Sequence, residues 1–429
     1  MNASNTINDL TWASITGGDT VYISGGEVSK IYPKDKIENK AVTGHPVVVT
    51  KGWENGHNGE VVFQQTEPVA INEWERYTFY VRTCENIKIT GLTFNSTVAD
   101  SSEDDVGSIF KVKESENIII DNCHIVSPAN GYGININGVG GKQSKFITIT
   151  NNLIETLETD SSPYGQDPIW IGNNFGGHTI TGNIMIHRGE SSNVSLDIIQ
   201  MHREGSPDNY EMIIANNFMY APRKETTHNR AVYMDQMKSN RLLFYNNLIV
   251  LNTQQNGGFL KFSADDTCRT SARVFNNTGI GGSDGDYAWW YGNIDTVIMK
   301  NNISIFDSVG FTHVMFGGNG IYNVDSIQID YNHYYTLGGT GYHIAQTQAD
   351  TGSYISWTQW QNNWGFDANS DTGSISFTNL WGTDILDYLT TTGRDAGVDL
   401  SAYFITDIRS VIRPQGAAWD KGAVESSSD

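Results

Sequence analysis

The sequence predicts an all-β fold, a single right-handed parallel β-helix of roughly ten coils with a cap at each end. A short phrase recurs along 86–335, in which one apolar run, one or two asparagines and a second apolar run follow one another. The phrases are NIKITGLTF (86–94), NIIIDNCHI (117–125), FITITNNLI (146–154), HTITGNIMI (178–186), EMIIANNFM (211–219), RLLFYNNLI (241–249), ARVFNNTGI (272–280), VIMKNNISI (297–305) and IQIDYNHYY (327–335). A fixed period of this size is typical of stacked repeats, and the alternation of apolar and polar positions is typical of strands.

The asparagines mark the corners at which the chain turns from one strand to the next. Aligned on one asparagine in each of the eight phrases after the first, the positions are Asn122, Asn152, Asn183, Asn217, Asn247, Asn277, Asn302 and Asn332. Asparagine tolerates the left-handed backbone region, and stacked coils place equivalent residues about 4.8 Å apart. We therefore predict a structural asparagine ladder. Because connections between parallel strands favour one hand, the solenoid is predicted to be right-handed.

Both ends of the predicted solenoid need a cover, because an open last coil exposes unpaired strand edges. Residues 6–15 (TINDLTWASI) are predicted to form a short helix over the first coil. The repeat fades near residue 340 into a stretch rich in Trp, Gly and Asp, which includes SWTQWQNNWGFD (356–367). A solenoid grows in one dimension, so we assign one domain, with the β-helix and its N-terminal cap in 1–340 and an irregular C-terminal cap in 341–429.

Charge and cysteine content narrow the classes of partner. The chain has 27 basic and 48 acidic residues, and its net charge of −21 disfavours nucleic acid. Residues 187–241 hold seven basic and seven acidic residues, and a locally neutral patch in an acidic protein is a place where an anionic substrate can approach. The three cysteines, Cys84, Cys123 and Cys268, lack the spacing of a metal site, and Cys123 is predicted to be a core residue.

Hydropathy and composition bear on where the protein acts. No apolar run reaches the ~20 residues of a membrane helix, so we predict no membrane partner. The sequence shows no leader at Met1. Together with abundant Asn, Gly, Thr and Trp, this favours an extracellular or secreted mature form, with a virion surface as the alternative. We expect a monomer, or a trimer if the chain comes from a phage.

Three stretches resemble the pectate-lyase-like family of right-handed β-helix proteins, which contains polysaccharide lyases, uronan C5-epimerases and some glycoside hydrolases. They are GGDTVYISGGEV (17–28), VRTCENIKITGLTF (81–94) and DIRSVIRPQGAAWDKGAVE (407–425). The first is similar to the segment that leads into the first coil in that family, the second to its first full coil, and the third to the tail of many secreted bacterial members. The resemblance spans nearly the whole chain and implies the fold, whereas it leaves the reaction open.

A shorter motif resembles the Tyr-Gly-x-Asp-Pro-His sequence of bacterial mannuronan C5-epimerases. It reads YGQDP (164–168), and Ile169 follows where that family has a histidine. The resemblance therefore implies roles for two residues only, Tyr164 in substrate binding and Asp167 as a catalytic carboxylate. A tight turn entering a strand explains the same residues.

A second set of strands lies between the asparagine phrases and is predicted to form one parallel sheet. These strands are IFKVK (109–113), YGININ (132–137), DPIWIGNN (167–174), LDIIQMHRE (196–204), AVYMDQM (231–237), GFLKFSAD (258–265), YAWWYGN (287–293) and HVMFGG (313–318). Alternation sends these side chains into the core: Ile136, Ile171, Met201, Met234, Phe262 and Trp290. It sends two columns to the outer face, namely Lys111, Asn135, Trp170, Gln200, Tyr233, Lys261 and Trp289, and then Asn137, Gly172, His202, Asp235, Ser263 and Tyr291. A register shift of one residue would exchange the two faces.

The predicted outer face mixes aromatic rings with polar and charged groups, which suits the apolar faces, hydroxyls and carboxylates of sugars. The predicted sugar-binding residues are Tyr164, Trp170, Gln200, Arg203, Trp289, Tyr291, Asn135 and Lys111. The predicted partner is an acidic polysaccharide or oligosaccharide, such as alginate or pectate. We predict a lyase that cleaves this uronate-containing polymer by β-elimination.

Elimination needs a cation for the carboxylate, a base for the C5 proton and an acid for the leaving oxygen. We predict His202 as the base, because the ordinary pKa of histidine lies near neutrality. Tyr233 is the predicted acid, and Lys261 is the alternative base. Arg203 and Arg230 would bind the carboxylate with support from Gln200, or Arg230 would pair with Asp235 instead.

Other reactions could use the same face. Hydrolysis needs two carboxyl groups roughly 5–9.5 Å apart, and the predicted pairs are Asp197 with Asp235 and Asp167 with Asp197. A mannuronan-type C5-epimerase and a non-catalytic, tailspike-like β-helix that binds glycans without cutting them are the further alternatives. The sequence requires no cofactor. Ca²⁺ held by the acidic groups stays open, although no ligand loop of recognisable spacing supports it.

Overall fold

A computed structural model of the chain divides into two compact units. The first comprises Met1–Val194 and His202–Gly205, and the second comprises Ser195–Met201 and Ser206–Asp429. The residues that the structure describes are 7, 10–66, 77–97, 107–127, 131–138, 142–157, 167–172, 176–188, 195–202, 210–222, 228–235, 238–252, 258–262, 269–281, 287–292, 294–307, 312–316, 326–337, 343–347 and 354–426. Tyr164, Arg203, Ser263 and Cys268 lie outside them.

The first unit is a parallel β-helix of three sheets. Its strands are β1 (Thr20–Ile23), β2 (Ser29–Tyr32), β3 (Asp35–Glu38), β4 (Val47–Lys51), β5 (Glu60–Gln65), β6 (Tyr77–Arg82), β7 (Glu85–Thr90), β8 (Thr93–Ser96), β9 (Gly107–Lys113), β10 (Glu116–Asp121), β11 (His124–Ser127), β12 (Gly131–Asn137), β13 (Thr148–Thr150), β14 (Leu153–Thr156), β15 (Ile169–Gly172), β16 (Thr179–Thr181) and β17 (Ile184–His187). Sheet A contains β1, β4, β7, β10, β13 and β16, sheet B contains β2, β5, β8, β11, β14 and β17, and sheet C contains β3, β6, β9, β12 and β15. Each coil thus gives one strand to each sheet, and neighbouring strands are parallel.

The second unit repeats this arrangement, and the strand Ser195–His202 is described with it although His202 itself falls in the first unit. Its strands and helix are β18 (Ser195–His202), β19 (Glu211–Ala215), β20 (Phe218–Ala221), β21 (His228–Asp235), β22 (Lys238–Tyr245), β23 (Leu248–Leu251), β24 (Gly258–Phe262), β25 (Arg269–Phe275), β26 (Thr278–Gly281), β27 (Tyr287–Tyr291), β28 (Thr296–Lys300), β29 (Ile303–Phe306), β30 (Thr312–Phe316), β31 (Ile327–Asp330), β32 (His333–Thr336), β33 (His343–Thr347), β34 (Tyr354–Ile355), α1 (Trp357–Trp364) and β35 (Asp371–Thr372). In this unit sheet A contains β19, β22, β25, β28 and β31, sheet B contains β20, β23, β26, β29, β32 and β35, and sheet C contains β18, β21, β24, β27, β30, β33 and β34. The predicted parallel β-helix is confirmed, although the number of coils differs slightly from ten.

Short helices occur at both ends of the chain. A 3₁₀ helix spans Trp12–Ser14, inside the segment predicted to cover the first coil. The C-terminal segment, predicted to be irregular, contains α1, whose first turn is closed by a capping box between Ser356 and Gln359. A second 3₁₀ helix spans Ile385–Tyr388. None of the described helices is long and apolar enough to cross a membrane.

The corners of sheet A separate two roles that the sequence analysis gave to one asparagine. The left-handed backbone belongs to the first residue of each pair, such as Asn246 and Asn276, with φ of 51° and 50°. The second residue points into the core and forms the ladder. The alignment on Asn122 was therefore wrong by one residue, because Asn122 is the left-handed corner and Cys123 occupies the ladder position. Cys123 is buried, as predicted, and burial raises the pKa of its thiol to about 12.

The ladder itself is a chain of buried amide hydrogen bonds in the second unit. The backbone N–H and side-chain Nδ2 of each ladder asparagine donate to Oδ1 of the next, for example at 3.0 Å each between Asn247 and Asn277. The chain runs through Asn217, Asn247, Asn277, Asn302 and Asn332. Asn332 donates to the buried Asp367 at 3.1 Å, which also accepts from Tyr334 and Trp360. The cap thus satisfies the last amide of the ladder.

The C-terminal motif that resembles the family tail is bound to the corner asparagines of the second unit. Arg413 and Glu425 form a buried ion pair at 2.7 Å, and Arg413 also donates to Oδ1 of Asn246 at 3.3 Å. Asn276 donates from its side chain to the carbonyl oxygen of Asp420 at 2.7 Å. The residues that carry the resemblance in this tail are therefore structural.

Candidate functional site

In the second unit, sheet C presents the outer positions that alternation predicted. Core positions on β18, β21 and β24 are filled by Ile199, Met201, Val232, Met234, Leu260 and Phe262, all buried. The residues between them, Gln200, Tyr233 and Lys261, are half-buried. Tyr233 and Lys261 face each other in the register of β21 and β24. The predicted acid and the alternative base are therefore neighbours on one face.

An ion pair lies at the start of this face. Arg230 Nε donates to Asp197 Oδ1 at 2.6 Å, and a terminal nitrogen donates to Oδ2 at 3.0 Å. The side chains are 9% and 1% exposed, so the pair is almost dry. Burial is the largest single influence on the pKa of Arg230 and would lower it, but the charge and hydrogen bonds of Asp197, together with Tyr287 and Tyr233, outweigh burial and raise that pKa. The predicted pairing of Arg230 with Asp235 is wrong, because Asp197 holds both donors of one guanidinium edge.

Two basic side chains converge on the ring of Tyr233. The guanidinium carbon of Arg230 lies 3.9 Å from the ring centroid, and Lys261 Nζ lies 5.6 Å from it. Lys261 Nζ also lies 5.4 Å from the ring centroid of Tyr287. We call Asp197, Arg230, Tyr233, Lys261 and Tyr287 the cationic cluster. It has two basic groups and one acidic group around two phenol rings.

Tyr287 reaches this cluster because Gly258 has no side chain. Gly258 is in register with Arg230. A Cβ atom built on Gly258 would lie 3.0 Å from Cε2 of Tyr287 and 3.2 Å from its carbonyl oxygen. The ring of Tyr287 therefore occupies the space beside Gly258 and is itself buried. Sequence analysis missed both residues, although a glycine at the start of a strand can indicate a close approach.

Trp289 and Tyr291 were predicted to bind sugar on the outer face, and this prediction was wrong. Both are fully buried. Trp289 is in register with the core residue Leu260, whereas Trp290 is the residue opposite Lys261. The rings of Trp289 and Phe259 pack edge to face at 5.4 Å. The predicted register was shifted by one residue, which exchanged the two faces of β27.

The remaining predicted catalytic residues are spread over several elements. Asp235 ends β21 and His202 ends β18, and both are half-buried. Asp167 is fully buried, and its carbonyl oxygen accepts from the backbone N–H of Gly133 at 3.2 Å. The role of His202 as the base stays a prediction.

The first unit presents a second part of the predicted face. Asn135 on β12 is in register with Lys111 on β9 and with Trp170 on β15, as predicted. The Asn135 side chain is buried, however, so its predicted role in binding sugar on an open face was wrong. The indole of Trp170 stacks on Tyr132, with ring centroids 5.4 Å apart and planes at 22°. A Cβ atom built on Gly172 would lie 2.1 Å from Cη2 of Trp170, so the indole lies over this glycine. The result is a half-buried aromatic platform beside an amide and a lysine.

Among the described residues, no group of three or more His, Cys, Asp or Glu side chains is placed to hold a metal ion. A role for Ca²⁺ stays a prediction from the sequence. No step below uses a metal.

Comparison with known proteins bears on the fold. No protein-family model matches the sequence, and none of the curated proteins matches it. Among solved structures, the chain is similar to pectate lyase Pel9A, with a TM-score of 0.56 at 15% identity over 96% of this chain and 89% of that chain. At this identity the likeness shows the fold alone, a pectate-lyase-like right-handed β-helix, as the sequence predicted.

Two looser overlaps involve a bacterial surface adhesin and a bacteriophage tailspike protein. PfbA, a surface adhesin of Streptococcus pneumoniae, overlaps with a TM-score of 0.28 at 13% identity, over 76% of this chain and 82% of that chain. Tailspike protein 3 of bacteriophage CBA120 overlaps with a TM-score of 0.30 at 7% identity, over 79% of this chain and 57% of that chain.

Proposed function

We propose that the protein is an extracellular polysaccharide lyase that cleaves a uronate-containing polymer by β-elimination at the cationic cluster. The observation that carries this proposal is the convergence of Arg230 and Lys261 on the phenol of Tyr233. A base, a proton donor and a source of positive charge thus lie together on one sheet face. Elimination at a uronate requires these three groups.

The roles follow from the chemistry of each side chain. Lys261, as the neutral amine, takes the C5 proton, and electrons from the broken C–H bond form the C4–C5 double bond. The C4–O bond breaks, and the Tyr233 hydroxyl protonates the leaving oxygen. Negative charge that develops on the uronate carboxylate is stabilised by the positive field of Arg230. Asp197 fixes the guanidinium through two hydrogen bonds and so acts as a positioning residue.

The same geometry disfavours hydrolysis through the predicted carboxylate pairs. Both oxygens of Asp197 accept hydrogen bonds from Arg230, and the side chain is 1% exposed. An acid or nucleophile in a glycosidase must reach the glycosidic bond. Asp167 is fully buried as well. Neither predicted pair therefore offers two accessible carboxyl groups.

Ultraviolet absorbance tests the proposal, since a conjugated C4–C5 double bond forms only in elimination. The purified protein is mixed with alginate, pectate, glycosaminoglycans and ulvan-type polymers, with and without Ca²⁺. We expect absorbance to rise with at least one polymer for the wild type and to stay flat for Lys261→Ala. A rise that survives in Lys261→Ala but not in His202→Ala would move the base to His202.

Other outcomes identify the alternatives. Proton exchange at C5 without a rise in absorbance would indicate an epimerase. New reducing ends without a rise would indicate a hydrolase. Binding without turnover on every polymer would indicate a glycan-binding protein, and each of these results would overturn the lyase.

A further inference from the structure

Two neighbouring loops of the first unit take no part in the proposed elimination. The loop SGGEV (24–28) connects β1 to β2, and the loop GWENGHNG (52–59) connects β4 to β5. The loops are joined through their backbones, since Gly25 N–H donates to the carbonyl oxygen of His57 at 2.9 Å and Gly59 N–H donates to that of Gly26 at 3.0 Å. They therefore form one continuous surface.

A serine and a histidine meet where these loops pair. Ser24 Oγ lies 2.7 Å from His57 Nδ1. The N–H of Gly26 donates to Ser24 Oγ at 3.3 Å, so the hydroxyl oxygen accepts there and its own hydrogen is left for Nδ1. From this pattern we assign Nδ1 as the acceptor, with the proton of the neutral ring on Nε2. A hydroxyl that donates to an imidazole has the arrangement of a nucleophile and its general base.

The backbone holds both members of the pair in place. The hydroxyl of Tyr32 donates to the carbonyl oxygen of Ser24 at 2.7 Å, and the N–H of His57 donates to the carbonyl oxygen of Glu54 at 2.9 Å. A Cβ atom built on Gly52 would lie 2.8 Å from the carbonyl oxygen of His57 and 3.1 Å from its Cβ, so the histidine packs where only glycine leaves room. The two side chains are thus positioned before a ligand arrives.

The pair is accessible from solvent, and its loops carry apolar side chains. His57 is exposed and Ser24 is half-buried. In the same two loops, Val28 and Trp53 are 83% and 70% exposed. Exposed aliphatic and aromatic groups favour contact with an uncharged, partly apolar ligand. This surface therefore suits a different class of molecule from the acidic polymer proposed for the cationic cluster.

We propose that Ser24 and His57 form a second catalytic site, an esterase site for carboxylic esters with a small apolar acyl group. Ser24 Oγ attacks the carbonyl carbon while its proton passes to His57 Nδ1. The bond from that carbon to the alcohol oxygen breaks, and the leaving oxygen takes the proton from Nδ1. The acyl group then remains on Ser24 Oγ.

Water completes the reaction. It attacks the acyl carbon and gives a proton to His57 Nδ1, the bond to Ser24 Oγ breaks, and Oγ recovers its proton from Nδ1. No carboxylate among the described residues contacts the ring of His57, so the pair is a dyad. A carboxylate would stabilise the imidazolium that forms, and we therefore expect slow turnover of activated esters.

Serine labelling and ester hydrolysis by the full chain test the site. Diisopropyl fluorophosphate should label Ser24, and His57→Gln should slow this labelling about a hundredfold, the lower end of what a general base contributes. Ser24→Ala should abolish the release of p-nitrophenol from p-nitrophenyl acetate. The controls are Ser14→Ala, which removes an exposed hydroxyl that donates to the carbonyl oxygen of Thr11 at 2.8 Å, and His45→Gln, which removes an exposed imidazole. Both controls should behave like the wild type.

The wild type alone provides a second measurement, because acid quenching during hydrolysis of p-nitrophenyl acetate should trap an acetyl group on Ser24, detected by peptide mass spectrometry. Circular dichroism checks that the variants fold. Equal labelling of Ser24 and Ser14, labelling of Ser24 that is as fast in His57→Gln, or p-nitrophenol release that survives in Ser24→Ala would each overturn the esterase site. None of these readouts involves a polyuronate, so they leave the proposed lyase untouched.

Discussion

Lys111 in the first unit and Lys261 in the second unit occupy comparable positions with different surroundings. Each is the register partner of a tyrosine on the preceding strand of sheet C, Tyr80 for Lys111 and Tyr233 for Lys261. Tyr77 precedes Tyr80 by three residues, and Arg230 precedes Tyr233 by three residues. Tyr77 packs on Tyr80 with ring centroids 4.6 Å apart and planes tilted by 39°, whereas Arg230 places its guanidinium 3.9 Å from the centroid of Tyr233.

The difference shows how equivalent positions in two coils can support packing or chemistry. At Tyr80 the neighbour is a second ring, and both rings are buried, so the pair contributes to packing. At Tyr233 the neighbour is a cation that a buried carboxylate fixes in place. A fixed charge in a dry site stabilises a transition state because it need not reorganise during the reaction. Four changes test this comparison.

The largest effect, a loss of kcat, is expected from Lys261→Ala, and Lys111→Ala is the variant with which it is compared. Lys261→Ala should lower kcat by about two to four orders of magnitude, which is what a general base typically contributes. Lys111→Ala should change kcat less than about threefold and act mainly on KM, because it loses one exposed charge contact. Initial rates from ultraviolet absorbance measure both. Similar losses of kcat in the two variants would mean that Lys111 and Lys261 do not differ in their catalytic role.

The buried ion pair should matter more than an exposed one. Asp197→Asn leaves the charge of Arg230 buried without its partner, which is expected to lower the free energy of unfolding by about 3–5 kcal/mol. Glu38→Gln breaks the exposed contact with Lys36 and is expected to cost less than about 1 kcal/mol. Denaturant unfolding measures both values. Equal losses in the free energy of unfolding for the two variants would mean that the Asp197–Arg230 pair is accessible to water in solution.

Gly258→Ala tests whether Tyr287 needs the empty space beside Gly258. The new methyl group would meet the ring and carbonyl oxygen of Tyr287 at 3.0–3.2 Å, and overpacking of this kind costs about 1–3 kcal/mol. The displaced ring should also lower kcat. Gly373→Ala is the control, since a Cβ there meets no atom within 4 Å. An unchanged stability and rate for Gly258→Ala would mean that Tyr287 does not support Lys261.

The smallest effect is expected at the aromatic platform of the first unit. Trp170→Ala should weaken polyuronate binding about fivefold, the size of one stacked contact of ~1 kcal/mol, with little change in kcat. Trp53→Ala removes an indole that is 70% exposed and lies off the sheet C face, and it serves as the control. Calorimetry measures both. Loss of affinity in Trp53→Ala alone would place the glycan elsewhere in the first unit.

The fold could be predicted from the sequence because every coil repeats the same local signals. Apolar alternation and a corner asparagine recur in nearly every repeat, so one misassigned position does not change the predicted fold. The alignment failed in one coil, where Cys123 replaces the ladder asparagine. There the alignment selected the preceding residue, Asn122, instead. The functional face depends on the register of each strand, which local signals determine less well.

Two parts of the candidate site could not be predicted for physical reasons. In YAWWY (287–291) four of the five residues are aromatic, so alternation offers no cue, and packing against Phe259 decides that Trp289 points inward. Asp197 and Arg230 are 33 residues apart. Their pairing depends on where each strand begins, which period and composition leave open. Lys261 beside Tyr233, by contrast, follows from simple alternation.

The most direct test of the central claim is the mass of the products from a defined uronate oligosaccharide, measured by mass spectrometry. Elimination divides the substrate without adding atoms, so we expect the masses of each product pair to sum to the mass of the substrate. One product should carry the unsaturated residue, and Lys261→Ala should yield none. Product masses that sum to substrate plus one water would show hydrolysis and would contradict the account.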